Sequence, residues 1–289
     1  MRVFFFGLGY CARRLIARER WIEASGTARA PEQVGALRGE GIDAYEFDGA
    51  RADPKLESVL KRAEAIVISI PPRERPCATL ERFGDTIASA PALKRILYFS
   101  TIGVYGDHGG MWVDETSATL TRSPRGVARL ADEARWMKSA HARGAEGDIL
   151  RLAGIYGPGR NALVNLRRGE ARRIVKPGHV FNRAHVDDIA EVSRLVLSRG
   201  LKGEIWNVAD EAPAPPQDVV AYAAMLLGAP APPEEPFEEA ALSPLAKGFY
   251  TENKRVSIAK AKALLGFKPA YPTYREGLAA LAAAGEGRV

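Results

Sequence analysis

Val3-Phe4-Phe5-Phe6-Gly7-Leu8-Gly9-Tyr10-Cys11-Ala12 is the stretch whose reading decides the fold. Val3–Phe6 is a short, wholly apolar run, as a strand buried on both faces would be. Gly7-x-Gly9-x-x-Ala12 follows at once and leads into Cys11–Arg20, where Cys11 and Leu15, Ala12 and Ile16 fall on one helical face. Each small residue has a task in a strand–turn–helix of this type. Gly7 permits the tight turn, Gly9 lets main chain approach an anion, and Ala12 lets helix and strand pack closely. The N–H groups and positive dipole end of the helix, at Tyr10 and Cys11, then favour a bound diphosphate. The reading is a dinucleotide-binding turn, with Arg13 as added positive charge.

Further along, Ile22–Thr27, Ala44–Phe47, Ala65–Ile70 and Arg95–Phe99 repeat the short apolar pattern. Helical stretches lie between them. Pro31–Arg38 has Pro at its first position and stops at Gly39, and Asp53-Pro54 opens another helix with Asp53 as cap. The alternation predicts an α/β fold, a doubly wound parallel Rossmann sheet. Beyond residue 155 the pattern changes. Gly154–Gly159 is rich in Gly and Pro, and Leu166–Arg183 is basic. Asp187 and Asp188 are expected to cap a helix, and Ile205–Val208 reads as one more strand. Pro213–Pro216 and the acidic Pro230–Pro236 read as loops, the second mobile. Ser257 is expected to cap Ile258–Leu265 before Gly266, and Thr273 to Glu276 has capping-box spacing. The expected division is a dinucleotide-binding domain of residues 1–155 plus 184–209, and a smaller substrate lobe of residues 156–183 plus 210–289.

Coenzyme type is read from the end of the second strand. A carboxylate there would hold a ribose 2′-hydroxyl. Ser25-Gly26-Thr27-Ala28-Arg29 offers none, and Arg29 suits a 2′-phosphate instead. NADP is therefore expected ahead of NAD, unless Arg29 is only a solvated loop residue. Asp48, after the third strand, is a candidate acceptor for the adenine amino group or else caps its loop.

Composition excludes other classes. The chain has 289 residues, 46% hydrophobic and 26% charged, which is ordinary for a folded globular protein. No apolar run reaches the ~18 residues of a membrane span, and Val3–Ala12 lacks the flanks and cleavage site of a signal peptide. Cys11 and Cys77 make no disulfide framework and suit a reducing compartment. A cytoplasmic location and no membrane partner are expected. Lys plus Arg number 41 against 35 Asp plus Glu, a net charge of +6 spread along the chain, with no aromatic interleaving. No nucleic-acid partner is expected from that. Four His and two Cys show no metal-ligand spacing, and G-x-S-x-G is absent.

Five further motifs follow in order: Ser100-Thr101-Ile102-Gly103-Val104-Tyr105-Gly106, Ser123-Pro124-Arg125-Gly126, Ile155-Tyr156-Gly157-Pro158-Gly159-Arg160, His185-Val186-Asp187-Asp188 and Trp206-Asn207-Val208. With the glycine turn and the Lys262–Gly277 stretch, the chain resembles the extended short-chain dehydrogenase/reductases, the NAD-dependent epimerase/dehydratase family, over nearly its whole length. The resemblance implies a seven-stranded Rossmann sheet, a small C-terminal substrate lobe and a small-molecule substrate, often a nucleotide sugar. It suggests a homodimer. It places Thr101 on the reacting hydroxyl or carbonyl; the plainer alternative is a strand-end backbone contact.

One departure matters. The family's catalytic Tyr and Lys stand in S-P-Y-x-x-x-K, and here Arg125 and Arg129 occupy those two positions. A phenol exchanges a proton with substrate oxygen as hydride moves, helped by the nearby ammonium. A guanidinium keeps its proton at any working pH. Arg125 can stabilise an oxyanion but is no base, and Arg129 remains a candidate for the nicotinamide ribose. His108 is a candidate proton surrogate on the segment leaving the fifth strand. Tyr105 reads as packing, His185 as a fold-supporting hydrogen bond, and Trp112 as either a ligand cover or packing. Arg167, Arg168, Arg172, Arg173, Lys176 and Arg183 form either a phosphate-binding cluster or a solvated face. Two readings stay open: an atypical NADP(H)-dependent oxidoreductase or epimerase, and a dinucleotide-binding sensor or partner-binding module without turnover.

Overall fold

The computed structural model describes residues 1–72 and 77–287. In chain order its elements are β1 (Arg2–Phe6), α1 (Tyr10–Arg18), β2 (Glu23–Ala28), α2 (Pro31–Gly39), β3 (Asp43–Glu46), α3 (Leu56–Leu60), β4 (Ala65–Ile68), α4 (Ala78–Ala88), β5 (Arg95–Thr101), a 3₁₀ turn (Ile102–Tyr105), β6 (Trp112–Val113), α5 (Pro124–Arg143), β7 (Glu146–Leu152) and β8 (Gly154–Tyr156). There follow α6 (Ala162–Arg167), β9 (Arg173–Val175), β10 (Arg183–His185), α7 (Val186–Ser198), β11 (Ile205–Val208), α8 (Pro216–Leu227), β12 (Glu234–Pro236), α9 (Pro244–Phe249), β13 (Arg255–Val256), α10 (Ala259–Leu265) and α11 (Tyr274–Ala283).

Seven strands form one parallel sheet in the order β11-β7-β5-β4-β1-β2-β3. The chain runs outward from β1 through β2 and β3, then returns to β4 and runs the other way. The order therefore reverses between β1 and β4, where open α/β sheets bind ligands beyond the strand C-termini. Apolar residues pair across β1 and β4, where Phe4 lies opposite Ile66, Phe5 opposite Val67 and Phe6 opposite Ile68, while on the β2 side Phe4 faces Ser25. On one face Phe4, Phe6, Ile66, Ile68, Ile96 and Tyr98 pack with Leu56, Phe83 and Trp136 from α3, α4 and α5. On the alternate face Val3, Phe5, Val67 and Leu97 are equally inaccessible. Covered on both faces, the strands read as continuous apolar runs, as expected from sequence.

Close contacts divide the chain into two units. The first comprises Met1–Val104, Arg122–Arg151 and Ala190–Trp206; the second comprises Tyr105–Thr121, Leu152–Ile189 and Asn207–Val289. Tyr105–Thr121 thus groups with the second unit, where the sequence reading had it in the first. The Tyr105 hydroxyl donates to Asn207 Oδ1 at 2.8 Å, Asp107 accepts from Asn253 N at 2.8 Å, and β6 pairs with β13. The second unit also holds the parallel pairs β8–β10 and β9–β12. Its core includes Tyr156, Leu163, Val219, Tyr274 and Leu278.

Several local expectations are revised. The helix expected from Asp53 begins at Leu56, although Asp53 Oδ1 still accepts from Lys55 N at 2.9 Å. Asp187 and Asp188 lie inside the first turn of α7 and do not precede it. Helix α10 is capped at Ile258, one residue past Ser257. The Pro230–Pro236 stretch is not all loop. Glu234–Pro236 is strand β12, fastened to β9 by Arg173–Glu234 at 2.6 Å and by an Arg172–Glu235 ion pair. The Thr273 capping box forms as read.

Candidate functional site

The glycine turn closes β1 within the first unit. Gly7 has φ +95°, and a Cβ built there would lie 2.7 Å from Ile70 Cγ2 and 2.8 Å from Ser69 Oγ. Gly7 is thus required by the fold itself, for backbone conformation and for space. Gly9 is different. It is the N-cap of α1 with ordinary extended dihedrals, φ −85° and ψ −168°, and a Cβ there meets no atom of the described residues within 4 Å. Among the described residues, nothing needs Gly9 to lack a side chain. Ala12 is fully buried and Cys11 nearly so, which matches their expected packing, and Tyr10 is half-buried at the start of α1.

Hydroxyls at the ends of β2 and β4, not singled out from sequence, hold this turn. Thr27 Oγ1 accepts from Gly7 N at 3.0 Å, and Ser69 Oγ donates to Gly7 O at 2.6 Å. Their signal was weak: Ser69 directly follows the apolar, buried β4, while Thr27 is one of several polar residues in β2.

Arg29 is exposed immediately after β2, and no carboxylate stands in β2 beyond Glu23 at its start. Asp48 Oδ1 accepts from Ala50 N at 2.8 Å and Arg51 N at 2.7 Å, so it caps its own loop. Arg13 pairs with Glu40 through both carboxylate oxygens at 2.8 Å, so the charge read as help for the anion is balanced within the protein.

Thr101 ends β5. Its Oγ1 accepts from Gly103 N at 3.1 Å, and its own proton has no acceptor among the described residues. The strand end beneath it is tied to α5. Ser100 Oγ donates to Glu133 Oε1 at 2.5 Å, and Arg151 Nη2 meets Glu133 Oε2 at 2.8 Å, all buried. Helix α5 starts at Pro124 behind Ser123, whose Oγ accepts from Gly126 N at 3.1 Å. Arg125 is exposed in its first turn. Arg129, one turn on, donates from Nη1 to Phe99 O at 2.7 Å and to the Tyr98 hydroxyl at 3.1 Å, and lies over the Tyr98 ring. The Arg129 head is thus engaged with β5. Tyr98 is fully buried and its phenol is pushed up by desolvation, so it remains neutral.

In the second unit, His108 Nε2 lies 3.1 Å from Ala118 O. His185 is buried, accepts from Asp187 N at 3.2 Å and packs on Tyr156 and Tyr271. Trp112 is 58% exposed and helps line a cavity of about 550 Å³ with Val256, Ile258 and Lys262. The basic stretch does not act as one cluster. Arg172 and Arg173 pair with Glu235 and Glu234, Lys176 donates to Tyr250 O, and Arg183 donates to Phe181 O and Ala214 O; Arg167 and Arg168 are exposed. Asp210 is buried, with its carboxyl pushed up to about 7 by desolvation against the opposing pull of Arg183. Among the described residues, no helix is long and apolar enough to cross a membrane, and no cluster of His, Cys, Asp and Glu has the makeup of a metal site.

The sequence profile of the NAD dependent epimerase/dehydratase family matches residues 85–209. Protein YeeZ of Escherichia coli (strain K12) is 31% identical over 245 residues, covering 78% of this chain and 84% of that protein. The chain belongs to the NAD-dependent epimerase/dehydratase family. A functionally unknown conserved protein from Silicibacter pomeroyi DSS, of solved structure, is 40% identical, with a TM-score of 0.87 and 99% of both chains covered. A 3-diazoavenalumate denitrifying reductase from Streptomyces sp is 28% identical over 186 residues, 61% of this chain and 58% of that protein. Membership of this extended short-chain dehydrogenase/reductase family accounts for the seven-stranded Rossmann sheet and its switch point between β1 and β4, and the family is nicotinamide-dinucleotide dependent.

Proposed function

We propose that this family member binds NADP(H), ahead of NAD(H), across the turn Gly7–Ala12 and passes hydride to or from a small-molecule carbonyl or hydroxyl substrate. Gly9 carries the reading. Its missing side chain serves no packing among the described residues, and the space that they leave beside it at the start of α1 suits a diphosphate. Arg29 would meet the 2′-phosphate, since β2 ends without a carboxylate. Bound there, a nicotinamide supplies a hydride to the substrate carbon or withdraws one from it.

In the reducing direction a C–H bond forms and the carbonyl π pair moves to oxygen. The Thr101 hydroxyl has a proton to donate to that oxygen. Arg125 adds a permanent cation that stabilises the oxyanion without titrating, and water delivers the final proton. This division of labour favours acceptors whose reduction needs no strong acid in the hydride step. The likeness to a reductase of a diazo compound supports a reductive rather than an epimerising role. Arg129 would then act through β5, holding the Phe99 carbonyl two residues before Thr101, rather than on the ribose.

The second reading, a dinucleotide sensor without turnover, draws on the same two arginines, which supply no titrating acid. The test is fluorescence titration with NADPH and NADH, followed by a carbonyl, diazo and nucleotide-sugar panel. Coenzyme oxidation that Arg125→Ala abolishes supports catalysis. Tight binding with no oxidation by any acceptor supports the sensor.

A further inference from the structure

Gly7 lies where the ladders on either side of β1 run out. Leu8 N still reaches Thr27 O at 2.8 Å on the β2 side, and Ser69 N reaches Phe6 O at 2.9 Å on the β4 side. Between those bonds the Gly7 peptide groups turn away from strand geometry at φ +95°. Two side-chain hydroxyls take over. Thr27 Oγ1 accepts the Gly7 N–H at 3.0 Å, and Ser69 Oγ donates to the Gly7 carbonyl at 2.6 Å. Thr27 is only 1% exposed, so its hydroxyl faces protein and not solvent. One hydroxyl comes from each side of β1, Thr27 from β2 and Ser69 from the residue that follows β4.

We propose that Thr27 and Ser69 are positioning residues for the coenzyme, an inference that rests on the coenzyme reading above. By holding Gly7 from both sides they fix the turn before any ligand arrives. The start of α1 is thereby aimed at the diphosphate, and Gly7 itself is left no donor for it. A preorganised turn loses less freedom on binding. Without either hydroxyl, a partly buried peptide group lacks its partner and the turn relaxes toward other conformations. Arg29 lies two residues past Thr27, so the same anchor also sets where β2 delivers the residue assigned to the 2′-phosphate.

The experiment is calorimetric titration of the whole chain with NADPH, NADH and ADP-ribose, with the melting temperature of each ligand-free variant measured alongside. Thr27→Val keeps the shape and removes the hydroxyl; Thr27→Ser keeps the hydroxyl and removes a methyl; Ser69→Ala is the independent second arm. Thr27→Val and Ser69→Ala are each expected to weaken NADPH by ~tenfold, the scale of one lost hydrogen bond. ADP-ribose, which shares the diphosphate, weakens in parallel, while Thr27→Ser stays within about twofold. If Thr27→Val and Ser69→Ala bind like the wild type, the clamp is overturned and the coenzyme site stands. If Thr27→Ser loses as much as Thr27→Val, methyl packing and not the hydroxyl is responsible, and the clamp is again overturned. Should Thr27→Val fail to fold, Ser69→Ala decides. A wild type that binds none of the three ligands refutes the coenzyme reading itself.

Discussion

Gly7 and Gly9 are two residues apart and both belong to the turn, yet the structure predicts opposite outcomes when each becomes alanine. At Gly7 the backbone sits at φ +95°, and the new Cβ would lie 2.7 Å from Ile70 Cγ2 and 2.8 Å from Ser69 Oγ. Left-handed strain adds about 1–3 kcal/mol and overpacking about 1–3 kcal/mol. Together they give roughly 2–6 kcal/mol, a fall of roughly 4–12 °C in Tm at about 2 °C per kcal/mol for a chain of this size. At Gly9 the dihedrals suit any residue and the Cβ meets nothing within 4 Å among the described residues. Reduced unfolded-state entropy favours alanine there by about 0.4–1 kcal/mol, and the poorer N-cap offsets it by a similar amount. Gly9→Ala should therefore melt within a few degrees of the wild type. Its Cβ occupies the space assigned to the diphosphate, so NADPH affinity should fall by at least ~tenfold. Differential scanning fluorimetry and calorimetric titration on the two variants are the assays. The reasoning is refuted if Gly9→Ala binds NADPH as the wild type does, or if it melts as low as Gly7→Ala.

Arg29→Ala should weaken NADPH by ~tenfold or more and leave NADH nearly unchanged, because only one coenzyme carries the 2′-phosphate; an unchanged affinity ratio removes Arg29 from that role. Glu133→Gln would remove the carboxylate charge from the buried pair in which Arg151 Nη2 meets Glu133 Oε2 at 2.8 Å. Breaking such a pair costs about 3–5 kcal/mol, and thermal melting should fall by roughly 10 °C. Asp210 is pushed up to about 7 in the folded protein, so the native state keeps this proton where the unfolded chain has released it. Its contribution is fully present below the ordinary carboxylate pKa and is lost as pH rises toward 7. Asp210→Asn should gain stability over the wild type as pH rises from 5 to 8, read from Tm against pH; parallel curves would contradict the assignment. His179, buried and pushed down to about 4, acts in the opposite sense, and its stabilisation is lost as pH falls from 6.5 toward 4. The Asp210→Asn variant should therefore show a steeper acid loss than the wild type.

The fold was legible where local pattern and burial agree. Val3–Phe6, the turn and the first helix are one continuous signal, and Thr273 with Glu276 closes a capping box as its spacing implies. What stayed hidden was non-local. Glu234–Pro236 has poor strand propensity and becomes a strand through pairing with Arg173–Val175, with the two Arg–Glu ion pairs alongside. The basic run stayed open between a phosphate cluster and a solvated face for the same reason, since the acidic partners of Arg172 and Arg173 lie some 60 residues away in sequence. Arg129 could be placed in the family's motif from sequence, but not its bond to the Phe99 carbonyl, which depends on how α5 lies against β5. Ser69 carried a weak signal as the polar residue after the apolar β4, and Thr27 less, since β2 is itself partly polar. Only the sheet order, with β1 between β2 and β4, brings both to Gly7.

The most direct measurement is calorimetric titration of the wild-type chain with NADPH and NADH, beside Gly9→Ala. Saturable binding of NADPH at one site, tighter than NADH and weakened in Gly9→Ala, is the predicted result. Binding of neither coenzyme by a correctly folded wild-type chain would contradict the assignment of the Gly7–Ala12 turn to a dinucleotide.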